Sequence, residues 1–192
     1  LDFKRFKRIL RQVLLLPIVA CLILASVLIW QIRGANETVG LIEESDQRIA
    51  LVALIEKLVV DEETGLRGYQ TTSAASFLQP YHSAEAPMQR AVASLQAIVS
   101  PGQAGVLQQF IEEHQTWQQT FAEPLIATVA AGGHTNDIDL NLQGMLQMNS
   151  MRDSLKAIMS AANANREERV AEWRRQSRQL LVLLIVLAIA IG

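Results

Sequence analysis

The residues of this chain that could carry chemistry are paired carboxylates and a few scattered histidines. Adjacent carboxylates occur at Glu43–Glu44, Glu62–Glu63 and Glu112–Glu113. Because neighbouring side chains on a helix diverge by about 100°, none of these pairs would face one substrate as an acid/base dyad. The sequence has no histidine phosphoacceptor box, no G-G-D/E-E-F loop and no glycine-rich nucleotide loop. It therefore predicts no catalytic residue in this chain.

The histidines, His82, His114 and His134, lie far apart in the sequence. No two of them have a helical ligand spacing such as H-x-x-x-H, so we expect no metal site and no cofactor. His114 falls on an apolar stripe with Trp117 and Phe121, and these three side chains could line a pocket between helices. The interpretation that the sequence favours is that the aromatic side chains are core and that His114 is a buried histidine with one hydrogen bond.

A polar, glycine-bearing segment runs from Asp61 to Tyr69. Glu63 and Arg67 stand at i and i+4 and could pair, which is worth about 0.2–0.5 kcal/mol on an exposed helix. Gly65 and Gly68 let another backbone come close, but each costs a helix roughly 1 kcal/mol. A tight corner or a buried Arg67 contact would have to offset that cost. We expect the segment to be architectural, with ligand recognition as the alternative.

An uncharged run, VLLLPIVACLILASVLIWQI, occupies residues 13–32. About twenty apolar residues in a helix cross a bilayer core that is about 30 Å thick, so this run predicts a first transmembrane helix. A cleaved signal peptide, the alternative, needs a shorter apolar core and a small-residue cleavage site. The basic arm at residues 1–12 is expected to be cytoplasmic, next to anionic lipid, and the chain after Arg33 outside.

A second apolar run, LLVLLIVLAIAI, follows from residue 180. It is too short to cross a bilayer, and we interpret residues 180–192 as the truncated start of a second transmembrane helix. The segment at 34–178 is then one extracytoplasmic domain. The formal net charge of −2 gives no reason to expect nucleic acid as a partner, and the single cysteine, Cys21, excludes a disulfide within this domain.

Strand patterns are nearly absent, whereas the helical period of apolar residues recurs, so the sequence predicts an all-α fold. The first helix should continue out of the membrane to about residues 67–70. The second lies between Ser73 and Val99, with an irregular start around its prolines and a regular part that carries Met88, Val92, Leu95 and Val99.

The third helix should begin after Ser100, with Pro101 at its first position and a capping box between Ser100 and Gln103. It should end at the glycines 132–133. The fourth should start near Asn136 or Asp137. Four such helices with short links predict an antiparallel up-down four-helix bundle, whose first and last helices continue into the transmembrane helices.

Short stretches near the predicted end of the first helix form a recognisable motif. The chain reads E-T-G-L-R-G-Y at 63–69, T-T at 71–72 and F-L-Q-P-Y at 77–81. This resembles the pattern E-T-G-x-R-G-Y, T-G-D/E and Y/F-L-x-P-Y of the third class of CHASE domains, extracellular sensory domains of bacterial receptors. Ser73 stands where that pattern has glycine, and Ala74 where an acidic residue is common. The motif residues are Glu63, Thr64, Gly65, Arg67, Gly68, Tyr69, Thr72, Leu78, Pro80 and Tyr81.

The resemblance covers about residues 39–178 and implies a helical sensory bundle between two transmembrane helices, followed by an output module. We therefore expect a periplasmic input module in the bacterial inner membrane, with a sensor histidine kinase of a two-component system as the first expectation. A diguanylate cyclase, a chemoreceptor and a non-signalling membrane scaffold are the alternatives. The ligands of this family are mostly unknown, so the stimulus stays unnamed.

The expected partners are the lipid bilayer, a second copy of the chain, an extracytoplasmic stimulus and a cytoplasmic output module. A parallel homodimer would form along the exposed stripe of the first and fourth helices. A shift or rotation of the fourth helix relative to the first would then reach the second transmembrane helix, since a small displacement is enough where packing is bistable.

Overall fold

The structure is a computed structural model that describes residues 3–133 and 137–191. Every regular element in these ranges is helical, which confirms the predicted all-α class. The elements are α1 (Phe3–Thr72), a 3₁₀ turn (Ala75–Leu78), α2 (Gln79–Ile98), α3 (Pro101–Trp117), a π turn (Gln118–Ala122), α4 (Glu123–Ala130) and α5 (Ile138–Ile191).

The chain divides into two compact units, one made of residues 1–43 with 166–192, and one of residues 44–165. We call the second the core unit. It contains every residue of the motif and every residue of the predicted pocket. His134 and Asn136 lie outside the described residues.

Within the described ranges, no helix carries an apolar stretch long enough to cross a membrane. The predicted first span at 13–32 and the predicted second run each fall partly on residues whose side chains lie outside the described part. The side chains of the whole basic arm at 1–12 also lie outside the described part. In the two apolar runs these positions are 13, 14, 16, 17, 20, 23, 31, 32 and 186–192.

The end of α1 is fixed by a left-handed residue, Ser73, whose φ is 57°. Its N–H donates to the Tyr69 carbonyl at 2.7 Å, which closes the last turn of the helix. The Thr72 hydroxyl donates to the Gly68 carbonyl at 2.7 Å and accepts from the Ala74 N–H at 3.2 Å. Glycine adopts this conformation without steric cost, which explains its place in the motif pattern.

The irregular start predicted for the second helix is the 3₁₀ turn, and α2 follows it directly. Pro80 lies in the first turn of α2, where its missing N–H is not needed, and Pro87 lies inside the helix. Val99, predicted to lie in the helix, is instead its extended C-terminal residue, with φ −65° and ψ 141°. The Arg48 Nε–H donates to the Ile98 carbonyl at 2.5 Å and satisfies one of the carbonyls that the helix end leaves open.

The third predicted helix starts where expected, at Pro101. The predicted capping box is wrong, because its side-chain-to-backbone hydrogen bonds do not form. The Ser100 side chain makes no bond to a backbone N–H; its hydroxyl donates to Gln103 Oε1 at 3.1 Å. The Gln103 N–H instead reaches the Ser100 carbonyl at 2.9 Å. The short side-chain contact between the two residues competes with the backbone bonds that a capping box needs.

The predicted third helix is interrupted by the π turn at Gln118–Ala122 and resumes as α4. Sequence analysis missed this turn, although Pro124 pointed to it. Proline has no N–H for the carbonyl four residues before it, and a wider turn accommodates that loss. Gly132, with φ 74°, follows α4, in agreement with the predicted glycine end.

The last helix, α5, is capped by Asp137, one of the two predicted starting residues. Its Oδ1 accepts from the N–H groups of Asp139 at 2.9 Å and Leu140 at 3.2 Å. The predicted apolar stripe of this helix is buried: Met148, Met151, Leu155, Ile158 and Ala162.

The core unit is held by one cluster of buried apolar side chains that draws on all of its α-helices. Burial of such side chains is the main favourable term in folding. The largest contributors include Ile55 and Leu66 of α1, Leu95 of α2, Phe110 and Trp117 of α3, Leu125 of α4, and Met151 and Leu155 of α5.

The left-handed turn generates the first prediction. Ser73→Gly should raise the free energy of unfolding by about 0.5–1 kcal/mol, because relief of left-handed strain, about 1–2 kcal/mol, exceeds the entropic cost of glycine. Urea unfolding of a fragment spanning residues 34–178, followed by circular dichroism, measures the change. Ser76→Gly, inside the 3₁₀ turn, is the matched control and should lower stability. Equal losses in both variants would contradict the prediction.

Candidate functional site

The two halves of the motif pack against each other through glycine. A Cβ added at Gly65 would lie 2.9 Å from the Phe77 carbonyl oxygen and 3.2 Å from the Tyr81 nitrogen. At Gly68 it would lie 2.5 Å from Cδ1 of the Phe77 ring. The predicted close approach of another backbone is confirmed at Gly65, where the approaching segment is the 3₁₀ turn with the start of α2, whereas Gly68 is approached by the Phe77 side chain.

The other motif residues divide into buried and exposed positions around this corner. Tyr69 and Leu78 are buried in the core, whereas Thr64 and Pro80 are exposed. Tyr81 is partly buried against the core. Burial, followed by the nearby carboxylates of Glu62, Glu123 and Glu85, raises the pKa of Tyr81 to about 12. Its phenol is therefore neutral at physiological pH.

The predicted pair between Glu63 and Arg67 is present, with Arg67 Nη2 at 2.6 Å from Glu63 Oε1. The other oxygen of Glu63 binds the guanidinium of Arg152 from α5. The Arg67 side chain is 68% exposed. An exposed ion pair contributes about 0–1 kcal/mol. Of the two devices that could offset the glycines, the structure contains the tight corner and not a buried Arg67.

The adjacent carboxylates at 62–63 and at 112–113 have different partners. Glu62 faces His114, whereas Glu63 faces arginine. On α3, both Glu112 and Glu113 accept from a glutamine of their own helix, and Glu113 also accepts from the Ser150 hydroxyl of α5 at 2.6 Å.

Glu62, which the sequence presents only as one half of an adjacent carboxylate pair, is buried in the core and has an unpredicted partner on α3. Its side chain is 1% exposed, and its Oε2 lies 2.7 Å from His114 Nε2. His114 is therefore the core histidine with one hydrogen bond that the sequence favours. Glu62 follows Val59 by three residues and precedes Leu66 by four, so it continues the apolar stripe of α1. The position of Glu62 on this stripe could have predicted its burial. Because a buried charge requires a partner, it could also have predicted a polar group facing it from another helix.

An aromatic row runs along α3 from Phe110 to Phe121. The ring centroids of Phe110 and His114 are 6.0 Å apart, those of His114 and Trp117 6.2 Å, and those of Trp117 and Phe121 6.1 Å. Tyr81 joins the row, with its ring centroid 6.4 Å from that of Trp117. The row continues the core up to the π turn.

An open cleft of about 650 Å³ lies beside the end of this row. Its walls come from α1, from the end of α3 with the π turn, and from the start of α5; we call it the α1–α5 cleft. The lining residues are Glu63, Leu66, Arg67, Gln70, Thr71, Trp117, Phe121, Ile138, Asn141, Leu142, Gly144, Met145 and Met148.

The structure thus brings Trp117 and Phe121 together with motif residues in one cleft, which His114 does not line, although its ring lies next to that of Trp117. His114 lines a smaller cleft of about 180 Å³ between α2 and α3. Sequence analysis missed the contribution of α5, above all Gly144. A Cβ added at Gly144 would lie 2.5 Å from ring carbons of Phe121, so this glycine admits the aromatic side chain against the helix backbone.

In the described part of the chain, no three His, Cys, Asp or Glu side chains lie close enough together to hold a metal ion. The ring of His82 contacts that of Tyr81, and His114 is hydrogen-bonded to Glu62.

Comparison with known proteins gives one match. A family model described as the CHASE3 domain matches residues 38–172, well over half of the chain. The matched stretch contains the whole motif and agrees with the resemblance found in the sequence. No curated protein and no solved structure matches the chain.

The glycine corner generates the second prediction. Gly65→Ala should lower the free energy of unfolding by about 1–3 kcal/mol, because the added methyl group overpacks the contact with the Phe77 carbonyl. The matched control is Gly105→Ala, on α3, where a Cβ would meet nothing within 4 Å. It should raise stability by about 0.5–1 kcal/mol, the usual difference between glycine and alanine in a helix. The same urea unfolding measures both, and a stable Gly65→Ala variant would contradict the close contact.

The buried pair generates the third prediction. Glu62→Leu should lower the free energy of unfolding by about 1–3 kcal/mol, because it leaves the His114 ring without its partner. His114→Phe should lower it by about 3–5 kcal/mol, because it leaves a carboxylate buried and unpaired. The double variant should recover most of this loss, because two apolar side chains leave no polar group unsatisfied. A double-mutant cycle by urea unfolding measures the coupling, and additive losses would contradict it.

Proposed function

Because the chain belongs to the CHASE3 family, whose members are sensory domains of signalling receptors, we propose that it is the extracytoplasmic input module of a bacterial transmembrane receptor. The family match over residues 38–172 carries this proposal. The first candidate for the output is a histidine kinase of a two-component system. A diguanylate cyclase or a chemoreceptor signalling region would use the same input.

The proposal includes two transmembrane helices in the cell membrane. The first is the uncharged run at 13–32, with the basic arm at 1–12 in the cytoplasm, and the second begins at residue 180. The segment at 34–178 would then lie outside the membrane as an antiparallel four-helix bundle. A single core cluster shared by α1, α2, α3, α4 and α5 supports the bundle.

The stimulus would pass to the output as a helix displacement. Support for this route comes from the bounds of α1 and α5, each of which is one helix from the core unit into the predicted membrane segments. A helix without a break transmits a shift or rotation along its length. Packed interfaces have discrete alternative arrangements, so a small shift at one end is enough to select another state.

A parallel homodimer would provide the interface that changes. Large apolar side chains are exposed on α1 of the core unit, among them Leu54 and Val60. Such side chains are available for a contact with a second copy of the chain. Trp173 on α5 is exposed as well.

Cysteine cross-linking tests the membrane topology and the dimer together. In a Cys21→Ser background, Leu54→Cys is expected to form a disulfide between chains in membranes and to react with an impermeant maleimide in intact cells. Ile55→Cys is the matched control, because Ile55 is buried in the core unit. A cysteine at position 5 should be shielded from the maleimide.

A series of single cysteines along residues 42–59 completes this experiment. If no position cross-links between chains, the dimer is wrong. If the cysteine at position 5 reacts as readily as that at position 54, the membrane topology is wrong.

A further inference from the structure

The α1–α5 cleft has the properties of a small-molecule site. Its volume of about 650 Å³ falls within the roughly 300–1,000 Å³ that is usual for ligand clefts. The lining is mostly apolar and aromatic, with a few polar groups at one side, which is the usual composition of such sites. We propose that this cleft is the stimulus-binding site of the chain and that it takes a small amphipathic carboxylate, with a flat apolar body and one anionic end.

The apolar wall explains the body of the ligand. Trp117 and Phe121 form one side, and the first turns of α5 form the other. On α5, Ile138 is 80% exposed, and Leu142 and Met145 are also exposed. These side chains follow at steps of four and three, so they form one uncovered apolar face beside the aromatic rings. Contiguous exposed apolar surface of this kind marks a binding site.

The charge at the rim explains the anionic end. Two guanidinium groups, those of Arg67 and Arg152, share the single carboxylate of Glu63. This cluster therefore carries one positive charge in excess, and its more exposed member, Arg67, lines the cleft. A guanidinium presents several donors in a planar fork that matches a carboxylate.

The same cluster disfavours a cationic ligand. Among the described residues that line the cleft, Glu63 is the one acidic side chain, and both arginines already bind it. A cation at this rim would meet a net positive charge, whereas a neutral ligand would leave the excess charge unused.

The position of the cleft ties binding to the helix that the proposed relay uses. Phe121 packs against the backbone of α5 at Gly144. One turn after Arg67, the Gln70 amide donates to Asn141 Oδ1 of α5 at 3.0 Å. A ligand held between Arg67 and Phe121 lies beside both contacts, and so at the junction of α1 and α5. This inference rests on the proposed sensory function.

The test uses three probes with one apolar body: naphthylacetate, naphthylacetamide and naphthylethylamine. Isothermal titration calorimetry is carried out on the whole chain in nanodiscs of zwitterionic lipid. The carboxylate should bind at least about tenfold more tightly than the neutral amide, the size of one charge-assisted hydrogen bond. The amine should bind more weakly than either.

Two arginine variants test whether Arg67 is the residue that favours the carboxylate over the amide. Arg67→Gln should abolish the preference for the carboxylate and leave the affinity for the amide unchanged, since the neutral probe does not use the charge. The matched control is Arg90→Gln, an exposed arginine on α2 that does not line the cleft. It should bind all three probes like the unaltered chain. Equal affinities for carboxylate and amide, or the same loss in both variants, would overturn the ligand class.

A second readout separates this inference from the proposed function. Gln70→Cys with Asn141→Cys, in the Cys21→Ser background, reports the contact between α1 and α5 through the rate of disulfide formation. If naphthylacetate binds through Arg67 and changes this rate, both the ligand class and the relay are supported. If it binds through Arg67 without changing the rate, the ligand class stands and the relay is wrong. If naphthylacetate does not bind more tightly than naphthylacetamide, the ligand class is wrong. The cysteine cross-linking between chains needs no ligand, so it still tests the proposed homodimer.

Discussion

The core unit depends on a contact that only glycine permits, where the backbone of α1 touches the turn that follows it. Gly65 leaves room for the Phe77 carbonyl, and Gly68 leaves room for the Phe77 ring. Both glycines cost helical stability, and the contact they allow sets the direction in which α2 returns. The row of aromatic side chains and the α1–α5 cleft are built on the helices that this corner aligns.

Two polar arrangements on successive residues of α1 serve different purposes because their surroundings differ. Glu62 is enclosed in the core, where an unpaired carboxylate would be costly, so its bond to His114 specifies how α3 meets α1. Glu63 is only 15% exposed and pairs with two arginines that reach further into solvent, an arrangement that leaves positive charge at the cleft. Of these two neighbouring carboxylates, Glu62 thus orders the packing of α3 on α1, and Glu63 holds the arginine at the rim of the cleft.

Much of the fold could be predicted from the sequence, because it depends on local patterns. Periodic apolar residues located the helices, Asp137 marked the start of α5, and paired glycines indicated a close approach. The π turn and the burial of Glu62 each had a local signal, in Pro124 and in the apolar stripe of α1. The choice of His114 as the partner of Glu62 and the part of Gly144 in the cleft could not be obtained in this way, because each depends on which side chain of a distant helix faces the residue. The capping box at Ser100 failed because a side-chain contact replaced the expected backbone bond.

The corner after α1 also bears on how the chain folds. The contacts between Gly65 or Gly68 and Phe77 join residues that are close in sequence, so little chain entropy is lost when they form. The left-handed Ser73 reverses the chain by local conformation alone. We therefore expect the α1–α2 hairpin to be an early folding nucleus, on which the more distant α5 docks later, since contacts of low sequence separation form fastest. In a protein made from its N-terminus, this hairpin is complete before the last helix has been synthesised.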